Sequence, residues 1–276
     1  MRQNRENRMF YSGTDVSGNK IGIPFGNTLI TGNVGTGKST FIHSIMQDAL
    51  IRYQQRQIEF RVWASKPDYD IWNVDDMTGG RRSITNLKID DSAVGEDHET
   101  SIKSLERFLE EVYDVCKARR TLLWDYNLPD IWAYNACGES LTDMIPLVYV
   151  IDAWGTNITD KSKMYLQYIA ETCECVGVAL FWITESTICT ENCIGISFTK
   201  YFRNKVVFKT SDENFKATFD VSLSIISDNP YPGNGAYLML SNRTKITYMY
   251  SPRFSYSLCK KIARAISQEV TKDSGD

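Results

Sequence analysis

The residues with the most specific chemistry are Gly32-Asn33-Val34-Gly35-Thr36-Gly37-Lys38-Ser39, followed by Thr40. The glycines let the backbone curl until successive N–H groups point inward at an anion. Lys38 supplies a point charge suited to β- and γ-phosphates, and Ser39 a hydroxyl suited to Mg²⁺. An apolar run, Asn27 to Thr31, precedes this Gly-x4-Gly-Lys-Ser pattern. After it, Ile42, Ile45, Met46, Ala49 and Leu50 recur at helical spacing. Strand, loop and helix in that order turn a loose pattern into a phosphate cradle, because the helix adds its unpaired N–H groups and positive dipole end. The stretch predicts a site for a nucleoside triphosphate with Mg²⁺.

A site of this kind needs a carboxylate opposite the loop. Pro146-Leu-Val-Tyr-Val-Ile-Asp152 is a nearly continuous apolar run ending in an acid. It reads as a buried parallel strand that places Asp152 where it can hold Mg²⁺ through water. Gly177 to Thr184 is a second such run, and its polar tip, Thr184-Glu185, is placed to read the γ-phosphate. Phe60 to Ala64 is a third strand, and Lys66 and Asp68 just past it are site neighbours, since ligands collect at the strand ends of open α/β sheets. His43, in the second turn of the helix, reads as a packed or surface histidine rather than a catalytic one.

The elements that must position these groups follow from the remaining pattern. Residues 1–8 are polar and read as a disordered tail, and 9–276 as one domain. Gly13, Gly18, Gly22 and Gly26 mark short strands and turns. Residues 73–100 read as irregular, with Gly79-Gly80-Arg81-Arg82 and an acidic patch. An amphipathic helix is expected from Ser101, with Ile102, Leu105, Leu109, Val112 and Cys116 on one stripe. Trp124 to Gly138, with aromatics around Pro129, reads as a cap over the core. A helix over 161–175, strands at 205–209 and 235–240, a turn at 241–244, a strand at 245–250 and a closing helix over 255–272 complete the reading. The sequence predicts an α/β fold with a mostly parallel central sheet flanked by helices.

Composition narrows the class. Of the 276 residues, 42% are hydrophobic and 24% charged, enough to bury a sizeable core. No apolar run approaches the roughly 20 residues of a membrane helix, and the N-terminus lacks the apolar stretch of a signal peptide. A cytoplasmic chain is expected, or the soluble part of an assembly anchored elsewhere. The net charge of −3 gives no global signal for nucleic acid, which leaves local basic spots, Arg2/Arg5/Arg8 and Arg81-Arg82. Seven cysteines suit a reducing compartment. Cys173-x-Cys175 and Cys189-x3-Cys193 lack zinc-ribbon spacing, and buried free thiols are expected.

The order of parts resembles the motor domain of the FtsK/SpoIIIE branch of P-loop ATPases, with a RecA-like fold. The resemblance rests on Asp15-Val-Ser-Gly-Asn-Lys before the P-loop, Ala64-Ser-Lys-Pro-Asp-Tyr-Asp70, Glu111 to Arg120, Leu128 to Asn135, Gly177 to Thr184, and Gly233-Asn-Gly-Ala-Tyr-Leu. It implies ATP and Mg²⁺ as cofactors, a homo-oligomeric ring, a hexamer, and double-stranded DNA as cargo. The related type VII secretion motors imply instead a polypeptide cargo; either motor type allows a membrane-anchored partner. Three positions depart from the family pattern. Ala153 stands where a Glu activates the attacking water, Glu174 near where an Arg reaches a neighbouring subunit, and Glu185 where a Gln follows Thr. Binding of ATP with impaired hydrolysis is therefore expected, either in a natural module or in an altered form of an active one; a further alternative is a non-hydrolysing ATP-binding module that assembles partners.

Overall fold

The computed structural model describes residues 9–53, 57–72, 74–75, 81–82, 86–90, 92–137, 143–153, 157–194, 198–220, 235–241, 245–252 and 254–273. The tail at 1–8, Gly79-Gly80 and the turn at 242–244 lie outside them.

The strands are β1 (Met9–Asp15), β2 (Lys20–Pro24), β3 (Thr28–Thr31), β4 (Glu59–Ala64), β5 (Val74–Asp75), β6 (Arg81–Arg82), β7 (Leu87–Asp90), β8 (Leu147–Asp152), β9 (Val178–Thr184), β10 (Asn204–Phe208), β11 (Ala236–Ser241) and β12 (Lys245–Tyr250). The helices are α1 (Lys38–Arg52), α2 (His98–Asp125), α3 (Ile131–Ala136), α4 (Asp160–Thr172), α5 (Thr187–Ile194), α6 (Asp212–Phe219) and α7 (Tyr256–Asp273). Ten strands form one sheet in the order β2-β1-β12-β11-β10-β3-β9-β8-β4-β7, and β5 pairs with β6 apart from it. From β10 to β7 every pairing is parallel, while β11, β12, β1 and β2 extend the sheet antiparallel. The fold is thus α/β with a mostly parallel sheet flanked by helices, as expected.

The continuous apolar runs are explained by burial on both faces. In β8, Val148 and Val150 join a core beneath α1 and α7, with Phe41, Ile42, Ile45, Met46, Cys259 and Ala263. Leu147, Tyr149 and Ile151 alternate into the opposite core, under Leu105, Phe108, Leu109, Val112 and Cys116 of α2 and Leu166 and Ile169 of α4. Each fully buried Val, Leu, Ile or Phe contributes about 1.5–3 kcal/mol relative to exposure. Arg119 of α2 donates to the carbonyls of Ile145 (2.7 Å) and Val176 (3.0 Å), holding the entries of β8 and β9 together.

Several elements differ from expectation. The stretch 73–100 is not wholly irregular: β7 pairs parallel with β4, Phe60 opposite Leu87. Helix α2 starts three residues earlier than Ser101, because Asp97 accepts from the Thr100 N–H and caps it. In the segment read as a cap, Ile131 and Tyr134 of α3 are buried, whereas Trp124 is 79% exposed. Helices α5 and α6 fill stretches that the sequence reading left unassigned. Cys116, Cys173 and Cys259 are buried thiols, but Cys137 and Cys189 are exposed. Among the described residues no group of three or more His, Cys, Asp or Glu could hold a metal, and no helix is long and apolar enough to cross a membrane.

Candidate nucleotide site

Strand β3 leads into α1, and α1 returns to β4 across two intervening strands, β9 and β8. This crossover opens a crevice at the carboxyl ends of the parallel strands, where ligands bind in open α/β sheets. A cleft of about 250 Å³ lies there, lined by Val34, Gly35, Gly37, Lys38, Ser39, Thr40, Lys66, Asp68, Asp152, Ala153, Ile183, Thr184 and Glu185. Nine of the twelve residues that the sequence marks as nucleotide-binding or metal-binding line it, together with Ala153; Gly32, Asn33 and Thr36 do not.

Those three shape the loop. Gly32 has φ 150°, and a Cβ there would come within 2.7 Å of the Phe208 Cβ, so only glycine lets β3 turn against β10. Asn33 donates its N–H to the Lys209 carbonyl (2.9 Å), and Thr36 donates its hydroxyl to the Asn33 carbonyl (2.8 Å). Gly37 caps α1 with φ 105° and no side-chain hydrogen bond, and no acid occupies the first turn. The leading N–H groups of α1 are therefore unclaimed by side chains, as an anion site requires.

Lys38 is 9% exposed and donates to the carbonyls of Gly32 (2.7 Å) and Asn33 (2.9 Å). Burial pulls its ammonium below the usual lysine range, opposed by the charge of Glu185 and then of Asp152. Across the cleft, Asp152 ends β8 beside Ala64 of β4. Desolvation pushes its carboxyl up to about 6, against the hydrogen bond from Tyr69 and the charge of Lys66. A half-enclosed carboxylate with a raised pKa is one that an added cation would stabilise. With the Ser39 hydroxyl it makes a hard-oxygen donor pair that fits Mg²⁺, which in phosphate sites takes one or two protein ligands and completes its shell from phosphate and water.

Ala153 presents only a methyl group to the cleft, its N–H donating to the Ile183 carbonyl (3.2 Å). Thr184 lines the cleft, but its hydroxyl is bonded to Thr190 (2.8 Å) and to the Ser186 carbonyl (3.3 Å), at the entry to α5. Glu185 pairs with Lys66 at 3.7 Å, and both neighbours named from the sequence, Lys66 and Asp68, line the cleft. Glu174 lies away from this cleft, ion-paired to Arg203.

The sequence reading missed Tyr69. It follows Asp68 on a 3₁₀ turn, Pro67–Trp72, is 1% exposed, and donates to Oδ2 of Asp152 (3.2 Å). It lies within the Ala64-to-Asp70 stretch that carries the family resemblance, but nothing in that stretch singles it out. His43 is packed, as expected: it is 5% exposed, accepts from Trp72 Nε1 (3.0 Å) and lies tilted against the Tyr69 ring, 4.8 Å between centroids.

No protein-family model and no curated protein sequence matches the chain. Among solved structures it is similar to the pCW3 conjugation coupling protein TcpA, in a monomer form with ATPγS, at 14% identity and TM-score 0.70 over 96% of this chain and 71% of that one. It is also similar to the cytoplasmic domain of the type VII secretion ATPase EccC of Thermomonospora curvata (14%, TM-score 0.66, 95% of this chain and 31% of that one). EssC ATPases 2 and 3 of Geobacillus thermodenitrificans give 15% identity and TM-score 0.63 over 96% and 50%. The chain spans only a third to a half of the two secretion ATPases. The likeness is one of fold: the chain shares the α/β architecture of these solved structures, as the FtsK/SpoIIIE resemblance implied.

Proposed function

We propose that this chain is an ATP-binding motor domain of the FtsK/SpoIIIE type, one domain over residues 9–276, that moves double-stranded DNA as a homo-oligomeric ring, a hexamer, and hydrolyses ATP slowly. The observation that carries the reading is the meeting, in one cleft, of an uncapped helix start, Lys38 and Ser39 with Asp152 opposite them. On binding, Lys38 leaves the carbonyls of Gly32 and Asn33 for the β- and γ-phosphates, and the loop N–H groups from Val34 to Thr40 cradle them. Ser39 and Asp152 hold Mg²⁺, whose chemistry is to neutralise developing phosphate charge. Glu185, its charge offset by Lys66, is the polar group that meets the terminal phosphate. Ala153 can neither align nor deprotonate the attacking water, a contribution typically worth about 10²–10⁴ in rate.

The likeness to a conjugation coupling protein supports DNA as the cargo. A second reading, a polypeptide-moving module of the type VII kind, is favoured by the net charge of −3 and by the likeness to EccC, a form of which is described in complex with a signal sequence peptide. Either motor would work in the cytoplasm, at the inner face of a membrane-anchored partner. Phosphate release by the Ala153 protein and by Ala153→Glu, each with and without duplex DNA, tests the reading. Slow turnover that rises on the order of 10²-fold or more in Ala153→Glu and responds to DNA supports it. Brisk turnover with Ala153 in place contradicts the slow-hydrolysis claim, and no response to DNA favours the polypeptide cargo.

A further inference from the structure

We infer that Tyr69 is a positioning residue of the cation site, holding one oxygen of the Asp152 carboxylate so that the other is presented to the cleft. The inference rests on the reading of the cleft as a Mg·ATP site. The Tyr69 hydroxyl donates to Oδ2 of Asp152 at 3.2 Å. That bond takes up Oδ2, and Asp152 lines the cleft. A carboxylate on a free χ2 axis rotates; one oxygen tied to a rigid donor fixes the plane of both, which is how outer partners orient a metal ligand.

The donor is rigid because its ring is locked. Tyr69 and Trp72 are both buried, at 1% and 0% exposure, on the 3₁₀ turn that follows β4. His43 of α1 lies against the Tyr69 ring at 4.8 Å and accepts from Trp72 Nε1 at 3.0 Å. Phe254, just before α7, closes the other side of His43 at 5.4 Å. The helix that carries Lys38 and Ser39 is thereby packed directly against the residue that holds Asp152. The two sides of the cleft are kept in register through Tyr69.

The test is ATP binding followed by titration calorimetry in EDTA and across a MgCl₂ series, for the unaltered protein, Tyr69→Phe, Asp152→Asn and the double variant. Phe keeps the buried ring and removes only the hydroxyl. ATP affinity in EDTA should stay within about twofold in Tyr69→Phe, while half-saturating Mg²⁺ for ATP binding should rise about 10- to 100-fold, the usual cost of losing an outer partner. In the Asp152→Asn background Tyr69→Phe should add nothing, because residues acting through one another are not additive. An unchanged Mg²⁺ requirement in Tyr69→Phe, or a full additional loss on top of Asp152→Asn, overturns the inference while leaving the nucleotide reading intact. Failure of the unaltered protein to bind ATP in both EDTA and Mg²⁺ overturns both.

Discussion

His43 sits on α1 only four residues past Ser39, yet its ring is turned into the core between Tyr69, Trp72 and Phe254. Desolvation lowers its pKa to about 4, partly opposed by a hydrogen bond to the Asp68 backbone. In the unfolded chain it titrates near 6.5. The unfolded state therefore binds the proton first as pH falls. The stability this neutral histidine confers is present above pH 6.5 and lost between 6.5 and about 4, on the order of 3 kcal/mol. Urea titrations at pH 7.5 and 5 should show about 2 kcal/mol of that loss, because pH 5 lies about 1.5 units below the unfolded pKa, and His43→Gln, which keeps an acceptor for Trp72 and cannot titrate, should remove this part of it; an equal pH dependence in both proteins would contradict the assignment. At this scale the loop residues and Asp152 were legible, because local backbone chemistry and a strand end dictate them. Tyr69 was not: its role exists only once the turn after β4 folds over β8. The bond of the Thr184 hydroxyl was not legible for a similar reason, since its partner Thr190 belongs to a helix with little periodic signal.

Asn214 of α6 shows how elements far apart in sequence hold the site. Its carboxamide oxygen accepts from the Thr187 N–H (2.6 Å) at the start of α5. Its nitrogen donates to Thr31 at the end of β3 (3.3 Å) and to Thr210 (2.8 Å). The residue is 3% exposed, so truncation strands buried partners, each costing about 1–3 kcal/mol. Asn214→Ala should lower the urea midpoint by at least one such increment; a midpoint unchanged from the parent would show that the clasp is not stabilising. The strands were readable wherever both faces are buried and the sequence runs apolar, as in β8 and β9. The short β7 was not, because only Leu87 among its four residues is buried, so no period shows. The start of α2 was misplaced because Asp97 caps it through Thr100, without the Glu or Gln that marks a capping box.

The molecule as a whole places Lys38 and Asp152 at one end of five adjacent parallel pairings, an order that no local pattern in the sequence states. The P-loop and a strand-terminal acid foretold that they would meet; the antiparallel extension through β1 and β2 came only with the topology. If DNA is the cargo of such a ring, the contacts are to phosphates. Affinity for duplex DNA should then fall about 10³-fold or more between 50 and 200 mM salt, and binding indifferent to salt in a fluorescence polarisation assay would argue against a backbone grip. The account stands first on nucleotide binding in the cleft. Titration calorimetry of ATP with Mg²⁺ into the unaltered protein and Lys38→Ala tests that most directly. Losing a charge-assisted contact to phosphate costs about 1.5–3 kcal/mol, so the Kd of Lys38→Ala should rise about 10- to 100-fold. Equal ATP affinity in the two proteins would contradict the site.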